Sequence, residues 1–164
     1  MRVIFILISI VTFSCSSRGG SNTLLDSDTT LCVKHITVHD TLYTINLVEE
    51  IKNDCYVGEY IRIFRNGKHY CNIVLPSADE IKNFQVELLQ KKDRLIMNAE
   101  WGGGKYNYIR TFYFMPLNGN LVLFKYDKGS IIEDSEKQYL REVNIDPPIK
   151  ICEFDIMDYI ENEP

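Results

Sequence analysis

The chain has 164 residues, 45% of them hydrophobic and 12% aromatic, and its 18 basic against 23 acidic side chains give a net charge of −5. From Cys15 onward 150 residues remain, which suits one domain with a sizeable core. An acidic balance of this kind argues against nucleic acid and anionic lipid as partners.

The first residues run from a charged start at Arg2 through the apolar stretch Val3 to Val11, then Thr12-Phe13-Ser14-Cys15 and a polar segment. That is the three-part order of an export signal. A bilayer core about 30 Å thick needs roughly 20 apolar residues in a helix. The run here ends after 11 residues even if Phe13 closes it, too short to span. Ser14-Cys15 after such a run resembles the lipoprotein signal peptide of bacteria, although Thr12 and Phe13 depart from its commonest form. The resemblance covers about a tenth of the chain. It implies cleavage after Ser14, acylation of Cys15 and attachment to the membrane through the lipid. Ser16 after the acceptor leans toward the outer rather than the inner membrane. Plain secretion with cleavage after Ser14 or Ser16 is the alternative. Residues 15–30, rich in Ser, Thr and Gly, read as a tether with an end-to-end distance of about 20 Å. The domain proper then covers 31–164.

Period-two alternation dominates the domain from Val33 onward, which predicts half-buried antiparallel strands. Val33 to Val38 and Leu42 to Leu47 flank His39-Asp40-Thr41 as a first hairpin. Tyr60 to Phe64 and Tyr70 to Leu75 flank Arg65-Asn66-Gly67-Lys68 as a second. A two-residue loop there sets Ile61 against Asn72. A three-residue loop with Gly67 at a bulge sets Ile61 against Ile73 and Ile63 against Cys71, sorting apolar residues onto one face; that register is preferred. Pro76 breaks the sheet, and Ser77 with Glu80 forms a capping-box pattern for a short helix.

Phe84 to Leu89 and Leu95 to Trp101 make the next pair of strands, and Gly102-Gly103-Gly104 leads as a loose connection into Tyr106 to Met115. Pro116 to Asn120 turns the chain back into Leu121 to Tyr126. Ile131 to Val143 suits a loop plus a short amphipathic helix ended by Pro147-Pro148. Ile149 to Phe154 reads as a last strand, after which Asp155 caps a final turn. The fold class is therefore mostly β: an antiparallel meander forming a sandwich or barrel, with one or two short helices.

Once Cys15 is set aside, Cys32, Cys55, Cys71 and Cys152 are candidates for disulfides in an oxidising compartment. Four cysteines allow three pairings, and the sequence does not choose. His35 and His39 with Asp40 invite a metal site, but side chains four apart on a strand lie about 13 Å apart. His69 reads as a solvated hairpin residue. Gly102-Gly103-Gly104-Lys105 lacks the spacing and following Ser or Thr of a phosphate loop. The acidic end (Glu153, Asp155, Asp158, Glu161, Glu163) lacks the Gly and spacing of a calcium loop. In the aromatic stretch, Tyr106, Tyr108, Phe112 and Phe114 share a face interrupted by Arg110; both faces carry apolar weight, so the strand is central and its aromatics mainly core. The candidate binding surface is Trp101, Tyr106, Tyr108, Asp158 and Glu161.

These readings lead to a non-enzymatic, lipid-anchored module of the cell envelope that binds another envelope protein or component. No catalytic residue, metal or cofactor is assigned. The alternative is a small-molecule carrier with a β-barrel cavity lined by the aromatics.

Overall fold

Alternation in the sequence becomes alternation across the pleat. Ile36 and Val38, then Tyr43, Ile45 and Leu47, then Ile61 and Ile63, then Ile73 all turn inward and are buried. The computed structural model describes residues 27–53, 55–132 and 138–160. Residues 1–26, which hold the expected export signal, Cys15 and most of the expected tether, lie outside the described residues, as does Glu161, while residues 27–30 of that expected tether belong to the first strand.

Among the described residues nine strands form two antiparallel sheets. The first contains β1 (Ser27–Val38), β2 (Thr41–Lys52), β3 (Cys55–Arg65) and β4 (Lys68–Val74) in that order. The second contains β5 (Gln85–Lys91), β6 (Arg94–Gly103), β7 (Tyr106–Leu117), β8 (Asn120–Ile132) and β9 (Gln138–Lys150), again in chain order. Each sheet is a meander, and the segment between β4 and β5 passes from one to the other. The result is a sandwich and not a closed barrel.

The preferred register of the second hairpin is the observed one: Ile61 pairs with Ile73, Arg62 with Asn72 and Ile63 with Cys71. The turn that produces it is different. Asn66 (φ 50°) and Gly67 (φ 74°) form a two-residue loop with both residues in the left-handed region. The extra residue is Tyr70, skipped between the pairs Ile63–Cys71 and Phe64–His69. Asn66 is also tied to β2, its Oδ1 accepting from the Leu42 amide at 2.8 Å and its own amide donating to the Leu42 carbonyl at 2.8 Å.

Three expectations are corrected. Residues 131–143 contain no short helix among the described residues: β8 runs to Ile132 and β9 begins at Gln138. Ladder pairs such as Tyr126–Val143 and Lys128–Arg141 override a weak helical period. Pro147 and Pro148 sit within β9, after a cis Asp146–Pro147 bond, because β9 is an edge strand where a missing donor is tolerated. Ile149 to Phe154 is not a strand beyond Lys150; Ile151–Glu153 is a 3-10 turn, and Ile156–Tyr159 is another. After Ser77 the helix is reduced to one turn, and its capping box is half formed: the Ser77 amide donates to Glu80 Oε2 at 2.8 Å, but the Ser77 hydroxyl donates to the same oxygen at 2.9 Å, while the Glu80 and Ile81 amides donate to the Ser77 carbonyl.

Between the sheets one apolar cluster joins the inward residues of both, including Leu88, Leu95, Met97, Phe112, Phe114, Leu121 and Leu123. Each such side chain contributes about 1.5–3 kcal/mol by leaving water. β7 is the middle strand of its sheet, so Phe112 and Phe114 are fully enclosed. The segment after β9 closes one flank: the Phe154 ring lies 5.0 Å from Phe112 and 5.3 Å from Phe114, and Tyr159 lies 5.4 Å from Phe112. Across the sandwich, the Tyr43 hydroxyl donates to the Gly119 carbonyl of the β7–β8 turn at 3.2 Å.

The glycine run after Trp101 is not a loose connection. β6 and β7 meet at a tight turn over residues 104–105, and Gly102 (φ 123°) has no room for a side chain, since a Cβ would stand 2.4 Å from the Tyr106 carbonyl oxygen. The Gly102 amide donates to the Lys82 carbonyl at 3.0 Å, and its carbonyl accepts from Asn83 Nδ2 at 2.8 Å, which pins the crossing segment to the end of β6.

Candidate functional site

Trp101 follows Met97 and Ala99 on the inward parity of β6, and that parity decides its fate: it is 3% exposed and belongs to the core, not to a binding surface. Tyr108 stands opposite it in the β6–β7 ladder, with the rings stacked at 5.7 Å. The guanidinium of Arg110, itself 2% exposed, lies 5.1 Å from the Trp101 ring. Arg110 Nε donates to the Tyr159 carbonyl at 3.2 Å and Nη1 to the Ile109 carbonyl at 3.0 Å. Sequence parity places Tyr108 and Arg110 on one face with Phe112, and the structure adds Trp101 and Tyr159 to them. It leaves Tyr106 partly exposed at the strand start and Asp158 on the surface. This cluster braces the segment after β9 against the sheet.

Cys71 of β4 and Cys152 are joined by a disulfide with a Cα–Cα distance of 5.7 Å. Cys32 carries a half-buried thiol on β1, and Cys55 is exposed at the start of β3. His35 Nδ1 lies 3.1 Å from Thr44 Oγ1, and His69 Nε2 lies 3.0 Å from Asn72 Oδ1. Among the described residues no three His, Cys, Asp or Glu side chains are grouped to hold a metal.

A different feature presents itself on the first sheet. A groove of about 490 Å³ is lined by residues of β1 to β4 and of the turn after β4. Its carboxylates are Asp28, Glu50 and Glu80, its guanidinium is that of Arg62, and its apolar walls include Val57 and Val74; Glu59 also lines it, but shares the parity of the inward Ile61 and Ile63, opposite Gly58 and Tyr60. Val74 is 74% exposed and Val57 47%. Register explains the convergence: Asp28 pairs with Glu50 and Glu50 with Gly58, while Tyr60 pairs with Val74. Rows across the sheet thus bring together residues up to about fifty positions apart.

Charges in the groove are unequally satisfied. Arg62 Nη2 bonds Asp28 Oδ2 at 2.6 Å, the Tyr60 hydroxyl donates to the same oxygen at 3.0 Å, and Arg62 also bonds that hydroxyl while lying over the Tyr60 ring at 5.1 Å. The bonds from Arg62 and then Tyr60 hold the Asp28 carboxyl below its ordinary range. Burial, and then the bond to Asp28, push the Tyr60 hydroxyl up. Glu50 pairs with Lys52 at 2.6 Å. Glu59 faces Glu49 directly across the β2–β3 ladder, and burial followed by that like charge holds its carboxyl above the ordinary range.

At the floor lies Gly58, whose φ is not in the left-handed region and whose missing Cβ would meet nothing within 4 Å. The fold makes no demand for glycine there. The sequence reading missed the groove because it began the strand at Tyr60; Val57-Gly58-Glu59 interrupts the alternation, and a glycine inside a run of strand formers was the available signal. No family model, no characterised protein and no solved structure matches this chain.

Proposed function

We propose that the protein is a lipid-anchored module of the cell envelope, on the outer membrane, that recognises another envelope protein or component without turnover. The groove on the first sheet carries the reading: it offers exposed apolar walls beside carboxylates on a chain of net charge −5. The small-molecule carrier is the weaker reading, because it needs a hollow interior lined by Tyr106, Tyr108 and Phe112. Phe112 is instead covered by Phe154 and Tyr159, and Tyr106 is partly exposed.

Anchoring is tested by replacing Cys15 with Ser and fractionating cells; the variant should move from the membrane to soluble fractions, and persistence in the membrane would refute lipid attachment at that residue. Recognition is tested by capture from envelope extract with the full chain and with its Gly58→Leu variant. A partner retained by the first and lost by the second supports the reading, whereas equal capture by both refutes a role for the groove.

A further inference from the structure

Charge is sorted along the strands. The two-residue turns after β1, β3, β5 and β7 share one end of the sandwich, where Arg65 Nη2 reaches the Gly119 carbonyl at 3.4 Å. Arg65, Lys68, Lys91, Lys92 and Arg94 stand there against Asp40 and Asp93. At the other end Asp28, Glu49, Glu50, Glu59, Asp79 and Glu80 outweigh Lys52, Lys82 and Lys105. An acidic chain therefore carries one cationic end, and its densest part is the β5–β6 turn.

That turn breaks two local rules at once. Lys91 and Arg94 are directly opposite in the ladder, so like charges meet across the strands. Lys92 holds a φ of 58°, a left-handed conformation that costs a lysine stability; at the same end, the turns at Asn66 and Asn118 place there a residue that tolerates it. The Lys92 carbonyl accepts from Gln90 Nε2 at 3.2 Å, which holds the turn in this form. Lys91, Lys92 and Arg94 are exposed, and among the described residues none of them is in an ion pair, not even with Asp93 between them. Arg94 is steadied by the Phe124 ring at 5.6 Å. Leu89 shares the outer face of the second sheet with Lys91 and Arg94 and adds exposed apolar surface beside them. Departures from local preference that no packing offsets mark functional positions.

We propose that the β5–β6 turn docks an acidic segment of a partner protein, its carboxylates meeting Lys91, Lys92 and Arg94 and its apolar side chains packing on Leu89. Asp93, in the middle, decides the class of partner. A uniformly charged polyanion or an anionic bilayer would bring like charge against Asp93, whereas a protein segment can set its carboxylates on either side of it. The net charge of −5 opposes extended polyanions further. This surface is separate from the groove on the first sheet, and its test does not depend on what that groove binds.

The probe is a blocked peptide of alternating Glu and Val, about nine residues and so roughly 30 Å long, titrated into the full chain while amide resonances are followed. Expected are saturable binding, shifts centred on Leu89 to Arg94, and weakening with salt. Lys91→Glu should lose about tenfold in affinity and yet melt about 2 °C higher, since it turns the like-charge pair with Arg94 into an opposite one. Lys92→Gly should likewise melt higher and bind more weakly. Lys105→Glu, the same change of charge at the other end, should alter affinity less than about twofold. The proposal is overturned by absence of Glu-Val binding, by binding of a Lys-Val peptide at the same residues, or by equal losses from Lys91→Glu and Lys105→Glu. Shifts of the same size with sodium sulfate at matched charge, or Lys91-dependent capture by phosphatidylglycerol vesicles, would overturn the protein occupant. A lower melting temperature for Lys91→Glu would also sink it, because the charge would then serve the fold.

Discussion

Removing the Cys71–Cys152 bond should weaken the fold by a magnitude that its span predicts. The bond closes a loop with a sequence separation of 81 residues. Restricting the unfolded chain over that span corresponds to about 4.5 kcal/mol in the loop-entropy treatment, with measured effects more often about 2–4 kcal/mol. The native contacts that the bond accompanies, such as Phe154 against Phe112 and Phe114, do not involve the sulfurs, so the expected loss is chiefly the freedom regained by the unfolded chain. The double variant Cys71→Ala/Cys152→Ala should therefore unfold in urea with a stability lower by about 3–4.5 kcal/mol and melt about 10–15 °C earlier. Reduced wild-type protein serves as the control, because it keeps the sulfurs and loses only the link. If variant and oxidised wild type share one midpoint, the entropic reasoning fails. If the variant falls but reduced wild type does not, side-chain packing and not the link is responsible.

Gly102→Ala should cost about 2–3 kcal/mol, since it adds a Cβ 2.4 Å from the Tyr106 carbonyl oxygen at a φ of 123°, whereas Gly104→Ala, in open space, should cost about 1 kcal/mol; paired denaturation curves compare them. Arg110→Met should cost about 2–3 kcal/mol by leaving the Tyr159 carbonyl without its donor, measurable as a lower urea midpoint. Burial, and then the 2.6 Å bond to Asp127, push the Tyr113 hydroxyl up to about 12. The stability this supplies is complete below the ordinary value of 10.0 and is lost as the pH rises toward 12, and ultraviolet titration of wild type against Tyr113→Phe should show the late-titrating group. Asp28 works in the opposite sense: its lowered carboxyl contributes stability above the ordinary value of 3.8 that is lost as the pH falls through the folded value, so Asp28→Asn should flatten that part of the acid profile.

What the sequence makes legible here is local. Sorting by faces is enough to find the β3–β4 register, because only one pairing puts Ile61 beside Ile73 and Ile63 beside Cys71. It does not identify the device, since a skipped Tyr70 and an inserted Lys68 shift the faces equally. β9 escapes because its ladder depends on β8, and its own residues (Arg141, Glu142, Asn144) carry little apolar period. Trp101 is read as a surface anchor from its residue type, while its parity with Met97 and Ala99 already marks it as inward. The groove is hardest of all to foresee: Asp28, Glu50, Gly58, Val74 and Glu80 come together only when four strands align, and no window of the sequence contains them.

The meander order of the two sheets has a bearing on how the molecule is made. Every ladder among the described residues joins neighbours in sequence, so each sheet can grow hairpin by hairpin, a single hairpin forming in about 1–10 μs. A chain emerging amino end first completes β1 to β4 while the second sheet is still absent, and in that interval Ile45, Ile61 and Ile63 form a bare apolar face with no layer opposite. Cys71 then waits through β5 to β9 for Cys152, which arrives only after the last strand. The covalent lock records that both halves have docked, and the half-built sandwich before it is the species that a holding chaperone would have to shield.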